Sequence, residues 1–212
     1  VSSNIKIIRS NINLKKFQPK DKNQLKNKYG YNNKKIILYY GAMRIQKGVD
    51  YLLKSLPSVI QKDKDVICIL AFRSWSKKNK NKYENMIEKL NLKNNVIFTL
   101  EKVKIENYVA MADMIVLAYP SLIGTEGNPS CLLEAMACKT KVVTTSLPEL
   151  KEIVEDGKEV IMAKPGDVNS LAEKINYTLN NNLTEMIENA YKKSKQFDVE
   201  KISKQFLELY QK

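Results

Sequence analysis

The sequence, 212 residues long, contains no histidine. A chain without histidine cannot build a Ser-His-Asp triad, a Cys-His dyad or a histidine-ligated metal centre, and it has no histidine general base. Chemistry in this chain must therefore use carboxylates, cations and backbone dipoles. Glycine is also scarce, at seven residues, and no GxGxxG or Walker A motif occurs. We therefore expect neither a dinucleotide cofactor nor a P-loop.

Long apolar runs and paired cysteines are missing as well. No stretch approaches about 18 consecutive apolar residues, and no signal-peptide pattern opens the chain. The three cysteines, Cys68, Cys131 and Cys138, are an odd number without CxxC spacing, and each lies in an apolar stretch. These features predict a cytoplasmic protein with buried, reduced thiols. Because the chain begins at Val1 rather than at Met, we expect further residues upstream.

Acidic residues are few in the first half of the chain. Residues 1–100 carry 22 basic and 6 acidic side chains, whereas residues 101–212 carry 14 and 17, and the formal net charge is +13. The basic half predicts a negatively charged partner, and an anionic surface at the inner face of the cell membrane is one candidate. The alternative is a solvated, lysine-rich surface that reflects composition alone.

Arginine and tryptophan, two residues that commonly bind nucleic acids, are scarce in this chain. Only Arg9, Arg44 and Arg73 stand among 33 lysines, and the chain has a single Trp. Bidentate reading of bases favours arginine, and base stacking needs exposed aromatic rings. A basic nucleic-acid-binding protein is therefore an alternative that the composition disfavours, and we expect no nucleic-acid partner.

Short β-branched runs alternate with amphipathic stretches along the whole chain. This alternation predicts βαβ units, a mostly parallel sheet covered on both faces, and hence an α/β, doubly wound, Rossmann-like domain over residues 1–212. Two further helices are expected in residues 184–212, divided near Phe197 and Asp198. The predicted strands are residues 5–8, 36–40, 66–70, 96–100, 114–118, 141–145 and 160–162. The predicted helices before the tail are residues 21–29, 49–61, 77–90, 105–112, 129–138, 147–154 and 169–180.

A loop that turns into a helix near Pro129 carries the most informative pattern. Proline is favoured in the first helical turn, and the free N–H groups of Ser130, Cys131 and Leu132 at a helix N-terminus suit an anion. Two carboxylates flank this point: Glu126 precedes the helix and Glu134 lies one to two turns inside it. The alternatives are an ordinary loop acid and a partly exposed helix face. Because apolar residues surround Glu134 in sequence, its carboxylate needs a partner.

A basic loop bounded by Gly41 and Gly48 follows the predicted strand 36–40. Ligands of such sheets bind where loops leave the carboxyl ends of the strands. Arg44 and Lys47 in this loop therefore suit a diphosphate, with the dipole of the helix that begins near Val49 as support. The alternative is a loop that is basic only because its half of the chain is basic.

Asp63 and Asp65 form an acid-x-acid pair of the kind that holds divalent cations in many nucleotide-sugar enzymes. Here the pair precedes the predicted strand 66–70, which is the wrong end of a parallel strand for a ligand. We therefore interpret the pair as a solvated turn and expect no metal ligand.

With these motifs the chain resembles the nucleotide-sugar-binding C-terminal half of the retaining family 4 glycosyltransferases, the glycosyl transferases of group 1. Their pattern of two glutamates followed by Ala-Met-Ala stands here at Glu126, Glu134 and residues 135–137. Their Gly-x-x-Arg-x-x-Lys-Gly-x-x-x-Leu-Leu segment stands at residues 41–53. The resemblance covers nearly all of the chain and implies half of a two-domain, B-type glycosyltransferase fold whose N-terminal acceptor domain is absent.

The resemblance also implies roles for individual residues. Arg44 and Lys47 would bind the diphosphate of a UDP-, GDP- or ADP-sugar, and Glu134 would bind the ribose hydroxyls. The catalytic carboxylate would be Glu126, and the sugar and phosphates would also meet the backbone of Gly127, Asn128, Pro129, Ser130, Cys131 and Leu132. Such enzymes need no metal ligand from the protein and no cofactor beyond the donor substrate.

We therefore expect the donor-binding domain of a retaining glycosyltransferase in glycan biosynthesis, which moves a hexose-like sugar and is inactive by itself. One alternative is a non-catalytic sugar-nucleotide-binding subunit of a two-chain transferase. The expected location is cytoplasmic, and peripheral attachment to the inner face of the cell membrane remains open.

Overall fold

A computed structural model describes residues 8–121, 123 and 129–210 of the chain. Six parallel strands within these residues form one sheet in the order β3-β2-β1-β4-β5-β6. The strands are β1 (Lys35–Ala42), β2 (Val66–Ser74), β3 (Val96–Thr99), β4 (Met114–Leu117), β5 (Lys141–Thr145) and β6 (Ile161–Ala163). The order reverses between β1 and β4, which is the topological switch point of a doubly wound sheet.

Helices connect the strands and extend the described chain beyond β6. They are α1 (Lys22–Tyr29), α2 (Val49–Lys62), α3 (Lys77–Lys89), α4 (Ile105–Met111), α5 (Ser130–Ala137), α6 (Pro148–Lys151), α7 (Val168–Asn180), α8 (Thr184–Ser194) and α9 (Val199–Tyr210). Two 3₁₀ helices, Ile45–Lys47 and Lys195–Phe197, precede α2 and α9. None of the helices in the described ranges is long and apolar enough to cross a membrane.

The sheet separates two hydrophobic layers because successive strand residues face opposite sides. Along β1, Ile36 and Leu38 belong to the layer that contains α4 and α5, whereas Ile37 and Tyr39 belong to the layer that contains α2 and α7. Both faces of the strand are thus covered, and this explains why its sequence is a continuous apolar run rather than an alternating one. The predicted Rossmann-like, doubly wound fold is confirmed.

The predicted elements match the observed ones closely, with three differences. Residues 5–7 of the first predicted strand lie outside the described residues, and Ile8 belongs to no strand. Strand β2 continues to Ser74, four residues beyond its predicted end. The helix predicted over 147–154 is limited to Pro148–Lys151, and the β-branched pair Ile153 and Val154 that follows it is buried in the core.

The segment before α1 is held by the C-terminal part of the domain. The backbone N–H of Ile12 donates to the carbonyl of Phe197 at 2.8 Å, and the N–H of Val199 donates to the carbonyl of Ile12 at 2.8 Å. Asn13 then accepts the backbone N–H groups of Lys15 and Lys16, each at 3.0 Å. These contacts place Lys16 at the carboxyl edge of the sheet, although it precedes the first described strand by 19 residues.

Candidate functional site

A cleft of about 950 Å³ opens at the carboxyl edge of the sheet, beside the switch point. It is lined by the ends of β1 and β2, the β3–α4 loop, Tyr119 after β4, the first turns of α5, and the segment before α1. The described residues that line it include Lys16, Phe17, Tyr39, Tyr40, Gly41, Ala42, Lys47, Ala71, Phe72, Arg73, Ser74, Glu101, Lys102, Val103, Ile105, Tyr119, Pro129, Ser130, Cys131 and Glu134. The sheet topology brings the segments that follow the strands together, whereas the segment before α1 is held there by its backbone bonds to residues near Phe197.

Glu134 has the partner that its apolar surroundings demand. The carboxylate is half-buried in the cleft wall, and the phenol of Tyr40 donates a hydrogen bond of 2.7 Å to Oε2. Burial raises the pKa of the Glu134 carboxyl, and the Tyr40 hydrogen bond and the Lys16 ammonium oppose that rise. The result is a carboxylate of restricted orientation that still reaches the cleft, where it can accept hydrogen bonds from ligand hydroxyls.

The start of α5 forms part of the predicted anion site. Pro129 precedes the helix, and Ser130 and Cys131 both line the cleft. Leu132 differs from the prediction, because its N–H donates to the Pro129 carbonyl at 3.0 Å and its side chain is fully buried. Among the described residues, no backbone partner is found for the N–H groups of Ser130 and Cys131 on the first turn of the helix, and these are the groups that we assign to an anion.

The three cysteines do not share one environment. Cys68 and Cys138 are buried as predicted, whereas Cys131 is half-buried and lines the cleft. Burial raises the pKa of the Cys131 thiol to about 11, and its Sγ lies 3.7 Å from the hydroxyl of Tyr119. The thiol is thus neutral at pH 7 and contributes bulk rather than charge to the site.

The basic loop places its two cations differently. Lys47 is half-buried, lines the cleft, and holds its ammonium 5.3 Å from the centroid of the Tyr119 ring. Arg44 is exposed and is not among the described residues that line the cleft. Its backbone precedes the 3₁₀ helix, and its carbonyl accepts the N–H of Lys47 at 3.0 Å. Lys47 is therefore the cation of this loop that already stands at the site.

Three cations that no sequence motif indicated also line the cleft: Lys16, Arg73 and Lys102. The positions of Arg73 and Lys102 could be predicted from the rule that ligands bind at the carboxyl ends of parallel strands, because these residues lie at the carboxyl ends of β2 and β3. No sequence pattern predicts that Lys16 lies in the cleft, since Lys16 is outside any helix or strand and reaches the cleft through tertiary contacts. Together with Lys47 they give the described lining of the cleft four cations against the two carboxylates of Glu101 and Glu134, a net positive charge.

The remaining predicted residues fall into two groups. Glu126, Gly127 and Asn128 lie outside the described residues. Asp63 and Asp65 lie before β2, at the opposite edge from the cleft, where they pair with Lys35 at 2.6 Å and Lys34 at 2.9 Å. These ion pairs agree with the interpretation of the acidic pair as a charged turn.

Comparisons with known proteins point in one direction. The chain is 33% identical over 167 residues to the uncharacterized glycosyltransferase MJ1178 of Methanocaldococcus jannaschii. This alignment covers 77% of this chain and 44% of the relative. It is 24% identical over 154 residues to the alpha-D-kanosaminyltransferase of Streptomyces kanamyceticus, covering 72% of this chain and 38% of that protein. The chain thus spans less than half the length of these curated relatives.

Solved structures show the same fold. Anabaena Alr3699/HepE in complex with UDP and glucose is 22% identical, with a TM-score of 0.88 over 97% of this chain and 56% of that one. The C-terminal domain of the glycosyl transferase group 1 family protein LpcC from Francisella tularensis is 18% identical, with a TM-score of 0.77 over 89% of this chain and 99% of that one. The family model described as glycosyl transferases group 1 matches residues 21–196. On this evidence the chain belongs to the glycosyl transferases group 1 family.

Proposed function

We propose that this chain is the donor-binding domain of a retaining glycosyltransferase, and that its cleft takes the nucleoside diphosphate of a UDP-, GDP- or ADP-sugar. The observation that carries the proposal is the pairing, in one cleft at the switch point, of a hydrogen-bonded carboxylate with a cluster of cations. A carboxylate suits a ribose diol, and the cations suit a diphosphate.

In this proposal Lys47 and the N–H groups of Ser130 and Cys131 surround the diphosphate. The positive end of α5 and the ammonium of Lys47 stabilise the charge that grows on the diphosphate as the glycosidic bond breaks. Glu134 accepts the ribose hydroxyls and so fixes the nucleoside. Catalysis then consists of positioning and charge stabilisation, for which no metal ion or cofactor is required of the chain.

The sugar and the acceptor belong to the same proposal. Alr3699/HepE was solved with UDP and glucose, and a hexose-like sugar on a nucleoside diphosphate is what we propose here. Glu126, together with Gly127 and Asn128, would contact that sugar. Because the chain spans 56% of Alr3699/HepE and 44% of MJ1178, we propose that the acceptor is held by a further domain, and that the isolated chain binds donor without transferring sugar.

The experiment is a thermal-shift panel of UDP-, GDP- and ADP-sugars on the isolated chain. A ligand at 100 times its dissociation constant stabilises the fold by about 2.7 kcal/mol, which is several degrees for a domain of this size. We expect one nucleobase to give the largest shift, and Lys47→Met to reduce it. An unchanged melting temperature with all three at millimolar concentration would contradict the proposed donor site.

An anionic membrane surface is the second partner that we propose. Arg44 and Ile45 (51% exposed) follow β1, and the exposed Arg73 at the end of β2 and Trp75 (46% exposed) just after it lie on the neighbouring strand end. Each lysine or arginine near anionic lipid contributes on the order of 1 kcal/mol, and an exposed Trp suits the headgroup region. As Trp75 is the single Trp of the chain, its fluorescence should shift to the blue with anionic vesicles at low salt. An equal response to neutral vesicles would remove this partner.

A further inference from the structure

Tyr40 directly follows the four buried residues of β1 and sends its side chain towards α5. Its Oη lies 2.7 Å from Oε2 of Glu134 and 3.1 Å from the carbonyl oxygen of Cys131. A phenol has one proton to donate, and the carboxylate is both the nearer and the charged acceptor. The bond to Glu134 is therefore the dominant one, and it joins residues 94 positions apart in the sequence.

The phenol is well suited to a permanent donor role. Burial, with the Glu134 carboxylate nearby, raises the pKa of Tyr40 well above its usual range. The hydroxyl therefore keeps its proton at neutral pH. Its ring belongs to the partly buried residues that pack against the hydrophobic layer beside α5. Both the proton and the position of the oxygen are thus maintained by packing.

The neighbours of Glu134 on α5 cannot hold its carboxylate. Leu133, Ala135 and Met136 are fully buried and apolar, and a flexible glutamate beside them would adopt several rotamers. A hydrogen bond to Oε2 restricts the rotation of the carboxylate and so narrows the positions that the other oxygen, Oε1, can occupy. A ligand hydroxyl then meets an acceptor whose orientation was settled during folding.

We propose that Tyr40 is a positioning residue that holds the Glu134 carboxylate in the orientation that accepts the ribose hydroxyls of the donor. This inference rests on the proposed donor site and adds a cleft-lining residue that does not belong to the motif of Glu134 and whose hydroxyl proton is already directed at that carboxylate. Tyr40 acts on the donor only through Glu134, so its effect should require both the carboxylate and the ribose hydroxyls.

The test compares two ligands and one substitution. Calorimetry would measure the affinity of UDP and of 2′,3′-dideoxy-UDP for the isolated chain and for Tyr40→Phe, with the GDP or ADP pair used if the thermal-shift panel favours that base. We expect Tyr40→Phe to weaken the ribonucleotide about tenfold and the dideoxynucleotide less than twofold. A general structural role would weaken both ligands equally, and that result would overturn the inference.

Tyr29→Phe is the matched control. The Tyr29 hydroxyl also forms one hydrogen bond, accepting from Nδ2 of Asn107 at 3.0 Å, but Tyr29 does not line the cleft. This variant should bind both nucleotides as the unmodified chain does. If it loses the ribonucleotide as much as Tyr40→Phe does, the effect is not specific to Glu134 and the inference is overturned.

A double variant covers the case in which the single one fails to fold. In a Glu134→Ala background, Tyr40→Phe no longer leaves a buried carboxylate unpaired, and we expect it to change UDP affinity less than twofold. If Tyr40→Phe alone does not fold and the double variant does, the pairing is supported, whereas failure of both variants overturns it.

An unmodified chain that binds UDP and dideoxy-UDP equally overturns this inference but leaves nucleotide binding intact. Absence of all nucleotide binding overturns the proposed function together with it.

Discussion

Gly48 lies so close to Ala118 that a Cβ atom at position 48 would stand 1.7 Å from the Ala118 carbonyl oxygen. Gly48 also has a φ of 74°, in the left-handed region that glycine adopts without strain. This contact seats the basic loop on the end of β4, directly before Tyr119. It therefore brings Lys47 to the Tyr119 ring and to the cleft, and it explains why a glycine stands between the loop and α2.

The first prediction concerns this contact. Gly48→Ala should destabilise the fold by about 3 kcal/mol or more, because a backbone carbonyl has to move as well as the new side chain. Gly30→Ala is the control, since Gly30 has nearly the same φ of 76° but a Cβ atom added there would meet nothing within 4 Å. It should cost only about 1 kcal/mol of conformational strain. Urea unfolding of the two variants measures the difference, and equal losses would show that the contact is unimportant.

The second prediction separates the two glutamates. If Glu134 accepts two charge-assisted hydrogen bonds from a ribose, each of roughly 1.5–3 kcal/mol, Glu134→Gln should lose at least about 3 kcal/mol of nucleotide affinity, or roughly a hundredfold. Glu126→Gln should leave nucleoside diphosphate binding within a few-fold and reduce turnover of a full-length, two-domain enzyme. Calorimetry with the same nucleotide compares them. The opposite pattern would mean that the two roles are exchanged.

The third prediction follows from the raised pKa of Glu134. The titratable groups that act on it are Tyr40, which keeps its proton, and the Lys16 ammonium. Binding that needs the carboxylate should weaken as the pH falls through this raised pKa, that is, already above the usual range of a glutamate. UDP-glucose is the ligand to titrate, because its diphosphate diester has no proton that titrates near neutral pH. Glu134→Gln should show no such loss between neutral and mildly acidic pH.

The same shift should act on folding with the opposite sign, which gives a fourth prediction. The folded chain holds the Glu134 proton more tightly than the unfolded chain does, so the contribution of this group is favourable at low pH and is lost as the pH rises through the folded pKa. The free energy of unfolding, taken as the difference between the native sequence and Glu134→Gln, should therefore decrease with rising pH. A difference that increases with pH would contradict the direction of the shift.

The fifth prediction concerns the two cations of the basic loop. Lys47→Met should weaken nucleoside diphosphate binding about tenfold or more, because it removes a charged donor that lines the cleft. Arg44→Met should weaken it less than about threefold, since the exposed Arg44 side chain is screened by solvent. Calorimetry of nucleoside diphosphate binding to the two variants, measured in parallel, checks this difference. Equal losses would indicate that the loop closes over the ligand and that both cations bind it.

Much of the architecture could be predicted because it depends on local patterns. Apolar runs such as those of β1 and β5 are buried on both faces, and the helices between them are long enough to cover a sheet. Right-handed crossovers and the rule for parallel strands then place the loops after β1 and β4 on one edge. The positions of the α5 start near Pro129 and of Lys47 in the cleft follow from that rule and from helix geometry.

Which side chains form the site depends on distances between atoms that no sequence pattern contains. Glu134 required a partner, but the sequence offers eleven tyrosines and 33 lysines, and only packing of β1 against α5 selects Tyr40. Lys16 reaches the cleft because backbone hydrogen bonds hold its segment to residues near Phe197. The N–H of Leu132 donates to the carbonyl of Pro129. Periodicity therefore determined which elements form and which edge they share. Which side chains meet there was decided by tertiary structure, because a hydrogen bond needs a match of about 3 Å between atoms that are distant in the chain.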